Sequence, residues 1–165
     1  MQQKATKWAD FRATESAVIA FALRDHEILL IHKKRGLGQG KINGPGGRVE
    51  EGETPMEAAV RETWEEVGLV LTDLTEHATI QFTFTSGYCL TVKVFVTTTF
   101  SGILRETEEA DPFWHPLSDL PFDRMWADDR IWLPHVLRGA YVHGRFLFDD
   151  DRMIDSEILV TEPNS

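Results

Sequence analysis

Cysteine is almost absent from this chain: Cys89 stands alone among 165 residues, so no intrachain disulfide can form, and a reducing, cytoplasmic setting is expected. Long apolar runs are missing as well. No stretch approaches the roughly 18 apolar residues of a membrane span, and the opening run MQQKATKWADFRATE lacks the apolar core of a secretory leader. Basic residues are outnumbered, 17 Lys and Arg against 27 Asp and Glu, for a formal charge of −10. Polymeric nucleic acid is held chiefly through Lys and Arg contacts to phosphate, so that partner is not expected, and a small anionic substrate would need its own cation. Repeats, linkers and low-complexity segments are lacking too. At this length and 42% apolar residues, one domain over 1–165, with a core of about 14–160, is expected to fold unaided, its two ends fraying. None of the six histidines has a neighbour at metal-ligand spacing.

What the chain does have is concentrated in residues 47–69, GRVEEGETPMEAAVRETWEEVGL. Thr54 and Glu57 form a capping-box pattern, Pro55 suits the first helical position, and Gly68 suits the terminator, so a helix is written between them. Met56, Ala59, Val60, Thr63 and Val67 share one face and are expected to pack on a core. Glu62, Glu65 and Glu66, at i, i+3 and i+4, line another. Like charges so close destabilise a helix by a few tenths of a kcal/mol per pair, a cost that a hard divalent cation removes. Mg²⁺ prefers such oxygens and bridges them to substrate phosphates, with Mn²⁺ as the alternative ion. Upstream, Gly44-Pro45-Gly46-Gly47 forms a loop able to bring backbone groups close to a ligand.

Read as G-x5-E-x7-R-E-u-x-E-E-x-G-u, with u apolar, the segment resembles the Nudix box. Its elements are Gly47, Glu53, Arg61, Glu62, Glu65, Glu66, Gly68 and Leu69, and the one departure is Thr63 in place of an aliphatic residue. An ordinary acidic amphipathic helix explains the glutamates but not the glycines or the arginine between them. The resemblance implies an α/β/α sandwich around a mixed β-sheet and a hydrolase of nucleoside diphosphate-linked compounds. It implies metal held by Glu62, Glu65, Glu66 and the carbonyl around Gly46, with Glu109 approaching from a later loop, and Glu53 paired with Arg61. Water attacks phosphorus in line, and Glu62, Glu65 and Glu109 stand as candidates for the general base. The expected partner is a small nucleotide, met by a monomer.

Elsewhere the pattern is largely β. Residues 16–23 and 27–32 read as strands joined by a tight turn, and a glycine-rich loop from 36 to 47 leads to the box helix. Residues 77–85 and 88–100, parted by Ser86-Gly87, read as a hairpin, and 112–117 as a short strand. A helix over 127–139 carries Pro134, which should kink it or lie near its first turn; 141–149 and 156–160 form a last hairpin around an acidic turn.

KKRGLGQGKINGPGG (33–47), PFDRMWADDRIWLPHVL (121–137) and His143 to Phe148 extend the resemblance to the branch of the family that hydrolyses oxidised purine nucleoside triphosphates, with Leu37 and Val18 departing from it. It implies release of a nucleoside monophosphate and pyrophosphate from 8-oxo-dGTP or 2-hydroxy-dATP, sanitising the nucleotide pool. A purine needs flat apolar walls and a few fixed polar groups: Trp126 with Phe82 or Phe84 for the walls, Asn43, Asp128 and Asp129 for hydrogen bonds, Lys33 for the triphosphate. Each has a plainer reading. Asp128 or Asp129 would also cap the following helix, Trp126, Trp132 and the phenylalanines would also fill a core, Asn43 would also brace its loop, and Lys33 would also be an exposed strand end. Dihydroneopterin triphosphate, ADP-ribose and dinucleotide polyphosphates remain alternative substrates, and a nucleotide-binding module without turnover the alternative class.

Overall fold

A computed structural model of the chain describes residues 13–163; the first twelve residues of the run read for a leader, and the extreme ends expected to fray, lie outside the described residues. Strand β1 (Glu15–Arg24) organises the rest. It turns through Asp25 and His26, both at positive φ, into β2 (Glu27–Lys33), a two-residue connection whose twist matches the strands. Along one edge β1 runs parallel to β7 (Cys89–Thr97) from Glu15 to Ala22. Along the other it forks. Ala17 to Ile19 pair with β4 (Gly46–Arg48), while only its last two residues pair with β2. Strand β2 carries β3 (Ile42–Asn43) on one side and β9 (Ala110–Pro116) on the other. The mixed sheet continues beyond β7 through β6 (Thr75–Phe84), antiparallel, then β10 (Tyr141–Asp149), parallel, and β11 (Arg152–Thr161), antiparallel.

Helix α1 (Pro55–Val67) lies on one face of this sheet and α2 (Asp129–Leu137) on the other. The period of two along β1 sorts its apolar residues between them: Val18, Ala20 and Ala22 pack with Ala58, Ala59 and Val67, and Phe21 packs with Trp132, Leu133 and Val136. In β2, Leu29 and Ile31 go to the first core and Ile28 and Leu30 to the second. Both strands are therefore nearly continuous apolar runs, as a strand covered on both faces must be.

Two expectations need correction, and a third is narrowed. Met56 does not join the core face of α1; it is 45% exposed and Ala58 is buried in its stead, because the packed stripe runs through Ala58, Ala59, Thr63, Glu66 and Val67. The strand expected over 88–100 breaks at Thr98. The Thr97 hydroxyl donates to Thr72 O at 2.5 Å and accepts the Thr99 N–H at 3.0 Å, turning the chain away as β8 (Thr99–Gly102) to pair with β5 (Leu69–Thr72). Of the two places expected for Pro134, the structure takes the one inside α2 and not the first turn. Pro134 O still accepts the Arg138 N–H, so the helix closes normally past it.

Candidate functional site

The box helix is held at both ends by the groups its sequence named. Glu57 N–H donates to Thr54 Oγ1 at 3.1 Å, Thr54 N–H donates to Glu57 Oε1 at 2.8 Å, and Gly68 closes the far end at φ 84°. Thr63, the residue that departs from the aliphatic pattern, is fully buried yet satisfied, its hydroxyl donating to Ala59 O at 2.8 Å.

Arg61 is the hub of the acids. Its Nε and Nη2 grip both oxygens of Glu53 at 2.6 and 3.0 Å; its Nη1 donates to Glu62 at 2.8 Å and Glu65 at 2.9 Å; its Nη2 also reaches Arg48 O at 3.0 Å. All five guanidinium N–H groups are used. The Arg61 hydrogen bonds hold the Glu53 carboxyl down at about 2.

Glu66 lives in a different environment. It is 2% exposed, and its Oε1 accepts the Gly46 backbone N–H at 2.8 Å. Burial, opposed by the Gly46 hydrogen bond and the charge of Lys33 and helped by the charges of Glu62 and Glu109, leaves its pKa pushed up to about 7. Burial raises Glu62 as well. Gly47 is what lets Glu62 lie there: a Cβ on it would come within 2.1 Å of Glu62 Oε2. Gly46 thus presents its N–H to the acids.

These two glycines also line a cavity of about 490 Å³, in the range of small-ligand sites, which opens at the fork of β1. Its walls gather residues from distant parts of the chain: Lys33, Asn43, Phe82, Phe84, Glu109, Trp126, Asp128 and Asp129. Phe82 stacks with Phe146 at 5.9 Å, and Trp126 meets Phe84 and Phe148 edge to face at 6.2 and 5.3 Å, so the aromatic wall is braced from behind. Trp132, 1% exposed, belongs to the core, but its indole N–H donates to Asp128 Oδ2 at 2.6 Å.

Neither aspartate caps α2. Asp128 occupies the capping position with helical dihedrals and makes no side-chain bond to the helix N-terminus. Both are buried, 1% and 6% exposed, and Asp128 Oδ1 has no hydrogen-bond partner. Burial raises both pKa values, and the charge of Asp128 pushes Asp129 higher still. A buried acceptor left unpaired is costly, which points to a partner in the cavity.

Among the described residues, no three His, Cys, Asp or Glu side chains already converge closely enough to hold a metal ion. Arg61 draws Glu62 and Glu65 to itself, and Arg35 holds Glu109 at 2.5 Å and below the usual carboxylate range. The donor chemistry nonetheless suits a hard cation. Glu66 is a desolvated carboxyl facing two further acids, with one backbone N–H bonded to it.

Sequence reasoning missed Arg35, Arg48 and Tyr88, which line the same cavity. Arg35, just before the glycine-rich loop, was the one open to inspection; the other two reach the cavity only through strand pairing. Of the expected metal-holding side chains only Glu109 lines it; Glu53, Arg61, Glu62, Glu65 and Glu66 stand outside, with Glu66 reaching its wall through Gly46 and Glu62 lying against Gly47.

Comparison with known proteins bears on the family and the fold. The family model of the NUDIX domain matches residues 13–136. A mouse oxidized purine nucleoside triphosphate hydrolase is 38% identical over 142 residues, covering 86% of this chain and 91% of the mouse protein. Its zebrafish namesake is 36% identical, covering 82% and 88%. The crystal structure of a MutT mutator protein from Bacillus halodurans superposes with a TM-score of 0.80 at 22% identity, over 87% of this chain and 97% of that one, a likeness of fold.

Proposed function

This chain belongs to the NUDIX family of hydrolases, and we propose that it converts oxidised purine nucleoside triphosphates, 8-oxo-dGTP and 2-hydroxy-dATP, to the monophosphate and pyrophosphate. The observation that carries this reading is the meeting of two unlike environments at Gly46 and Gly47. On one side lies an aromatic pocket with two buried acids, on the other the buried carboxyl of Glu66. A ligand long enough to use both has a flat base at one end and polyphosphate at the other.

Trp126, Phe82 and Phe84 offer the base its flat walls, and Asn43 a neutral amide. Asp128 and Asp129 read the polar edge. With one acid kept protonated by burial, that acid donates to a keto oxygen while Asp128 Oδ1 accepts from a ring N–H. Such a pair suits both oxidised guanine and oxidised adenine. Lys33 faces the acids and steers phosphate toward them.

Nudix hydrolases generally need a divalent metal, and the residues that would hold it here are Glu62, Glu65, Glu66 and Glu109 with Gly46. When bound, Mg²⁺ or Mn²⁺ neutralises phosphate oxygens as a Lewis acid. Glu62, raised by burial and poised under Gly47, is the acid best matched to take the proton of the attacking water. Arg61 fixes Glu62 and Glu65, and Glu53 fixes Arg61. On the same reading the protein acts as a monomer in the reducing cytoplasm, where the lone buried Cys89 stays a thiol.

The test is pyrophosphate release from oxidised and ordinary nucleoside triphosphates, dihydroneopterin triphosphate, ADP-ribose and a dinucleotide tetraphosphate, each with Mg²⁺ and with EDTA. Oxidised purine triphosphates should exceed the others in kcat/KM by about tenfold or more, the discrimination that unpaired polar groups in a site impose. Equal rates on ordinary dGTP, or preference for ADP-ribose, would overturn the proposal.

A further inference from the structure

Two of the cations on the cavity wall are already neutralised. Arg48 Nε pairs with Glu15 at 2.7 Å, and Arg35 Nη2 pairs with Glu109 at 2.5 Å, with Glu108 3.8 Å from its other terminal nitrogen. Lys33, the third, forms no ion pair among the described residues. The Arg35–Glu109 pair is the unusual one, because both of its members line the cavity.

The backbone beneath that pair is anchored on both sides. Lys34 N–H donates to Glu109 O at 3.0 Å, and the Lys34 ammonium bonds Thr107 O at 2.8 Å and the Glu106 carboxylate. The Thr107 hydroxyl donates to Glu66 O at 2.8 Å, and Arg105 N–H to Val67 O at 2.8 Å, tying residues 105–107 to the end of the acid-bearing helix. The two side chains themselves are half exposed, 57% for Arg35 and 41% for Glu109. Their partners are thus exchangeable by rotation about side-chain bonds, with no movement of the chain.

An exposed ion pair is weak and yields readily to stronger partners. A polyphosphate with its counter-ion offers both: a hard cation for the carboxylate, and paired phosphate oxygens that match the planar fork of a guanidinium. We propose that Arg35 is the specificity-determining residue for the distal phosphate of a nucleoside triphosphate, held by Glu109 until substrate exchanges the pair, Glu109 turning to the cation and Arg35 to the phosphate. The inference rests on the reading that the Gly46–Gly47 end of the cavity takes polyphosphate. The exchange conserves charge, since an internal pair of opposite charges is replaced by two pairs made with the ligand. A nucleoside diphosphate lacks the distal group, so the freed guanidinium gains nothing from it. Arg35 therefore counts phosphates.

The two halves of the exchange move in opposite directions when Arg35 is removed. Titration calorimetry of the full chain, wild type and Arg35→Met, uses Mn²⁺ alone and then inorganic tripolyphosphate in the presence of Mn²⁺. Without the guanidinium, Glu109 is free, and Mn²⁺ alone should bind roughly two- to fivefold tighter. Tripolyphosphate with Mn²⁺ should bind about tenfold weaker or worse, the loss of a charge-assisted contact. Arg35→Lys should restore part of the tripolyphosphate affinity. In hydrolysis, Arg35→Met should raise KM for the triphosphate by about tenfold and leave that for the matching diphosphate within about twofold. Unchanged tripolyphosphate affinity overturns the proposal. Weaker binding of both probes also overturns it, since Arg35 would then be a brace for residues 105–109. If wild type shows the expected exchange but hydrolyses no oxidised purine nucleotide, the substrate reading fails and this one stands.

Discussion

Glu66 Oε1 accepts the backbone N–H of Gly46 at 2.8 Å, so a carboxyl that is 2% exposed is fastened to the wall of the aromatic-lined cavity. The bond orients the acid without neutralising it, and burial leaves its pKa near 7. Several outcomes depend on that arrangement.

Glu66→Gln keeps an acceptor for Gly46 and removes the charge. A carboxyl lifted from 4.5 to about 7 by folding costs stability as pH rises, because the unfolded chain ionises first; the loss begins near pH 4.5 and is complete above 7, at about 3 kcal/mol. In EDTA the variant should therefore melt higher than wild type at pH 8 and match it at pH 4. Turnover should fall by about 10² or more, and Mg²⁺ should raise the Tm of wild type but not that of the variant. A variant destabilised at pH 8 would contradict the burial argument.

Arg61→Lys removes a fork that lysine, with three donors from one nitrogen, cannot rebuild. The Glu53 carboxyl, held at about 2, supports the fold above pH 4.5 and loses that support as pH falls toward 2. Urea midpoints across pH 3 to 7 should show this acid limb in wild type and not in the variant, while kcat drops as Glu62 and Glu65 lose their anchor.

Gly47→Ala places a methyl group within 2.1 Å of Glu62 Oε2. Glu62, 19% exposed in its side chain, must swing away. Circular dichroism should remain that of wild type while kcat falls by about 10², and KM for the oxidised purine should change little, because the base wall is untouched. A large rise in KM with kcat preserved would mean that Gly47 positions substrate instead.

Asp128→Ala and Trp126→Ala remove the side chains proposed to read the edge of the base and to wall its face. KM for oxidised purine triphosphates should rise by about tenfold or more, with ordinary triphosphates changing less. Trp132→Phe, which removes the donor at 2.6 Å from Asp128, should weaken the same discrimination although Trp132 is a core residue. Equal losses on every nucleotide would refute the base-reading role.

Much of this was legible before any coordinates. The bounds of α1 follow from Thr54, Glu57, Pro55 and Gly68 because capping is a contact between near neighbours in sequence. The strands β1, β2, β6 and β10 announce themselves by β-branched and aromatic runs, whose facing is local to each strand. The break at Thr98 was hidden, because it depends on Thr97 finding Thr72 O, 25 residues away. Met56 was misplaced because a wheel finds a stripe but not the edge of the surface it meets.

The sequence by itself determined the acids: their number, their spacing and the helix that carries them, since i, i+3 and i+4 are properties of one short segment. Only the tertiary structure decided what surrounds each of them. Glu66 is buried and Glu65 exposed, Arg61 spans three glutamates, Arg35 faces Glu109 across 74 residues, and Asp128 leaves one oxygen unpaired. Desolvation and long-range pairing depend on which strands lie side by side, and that is set by packing the whole sheet between its two helices.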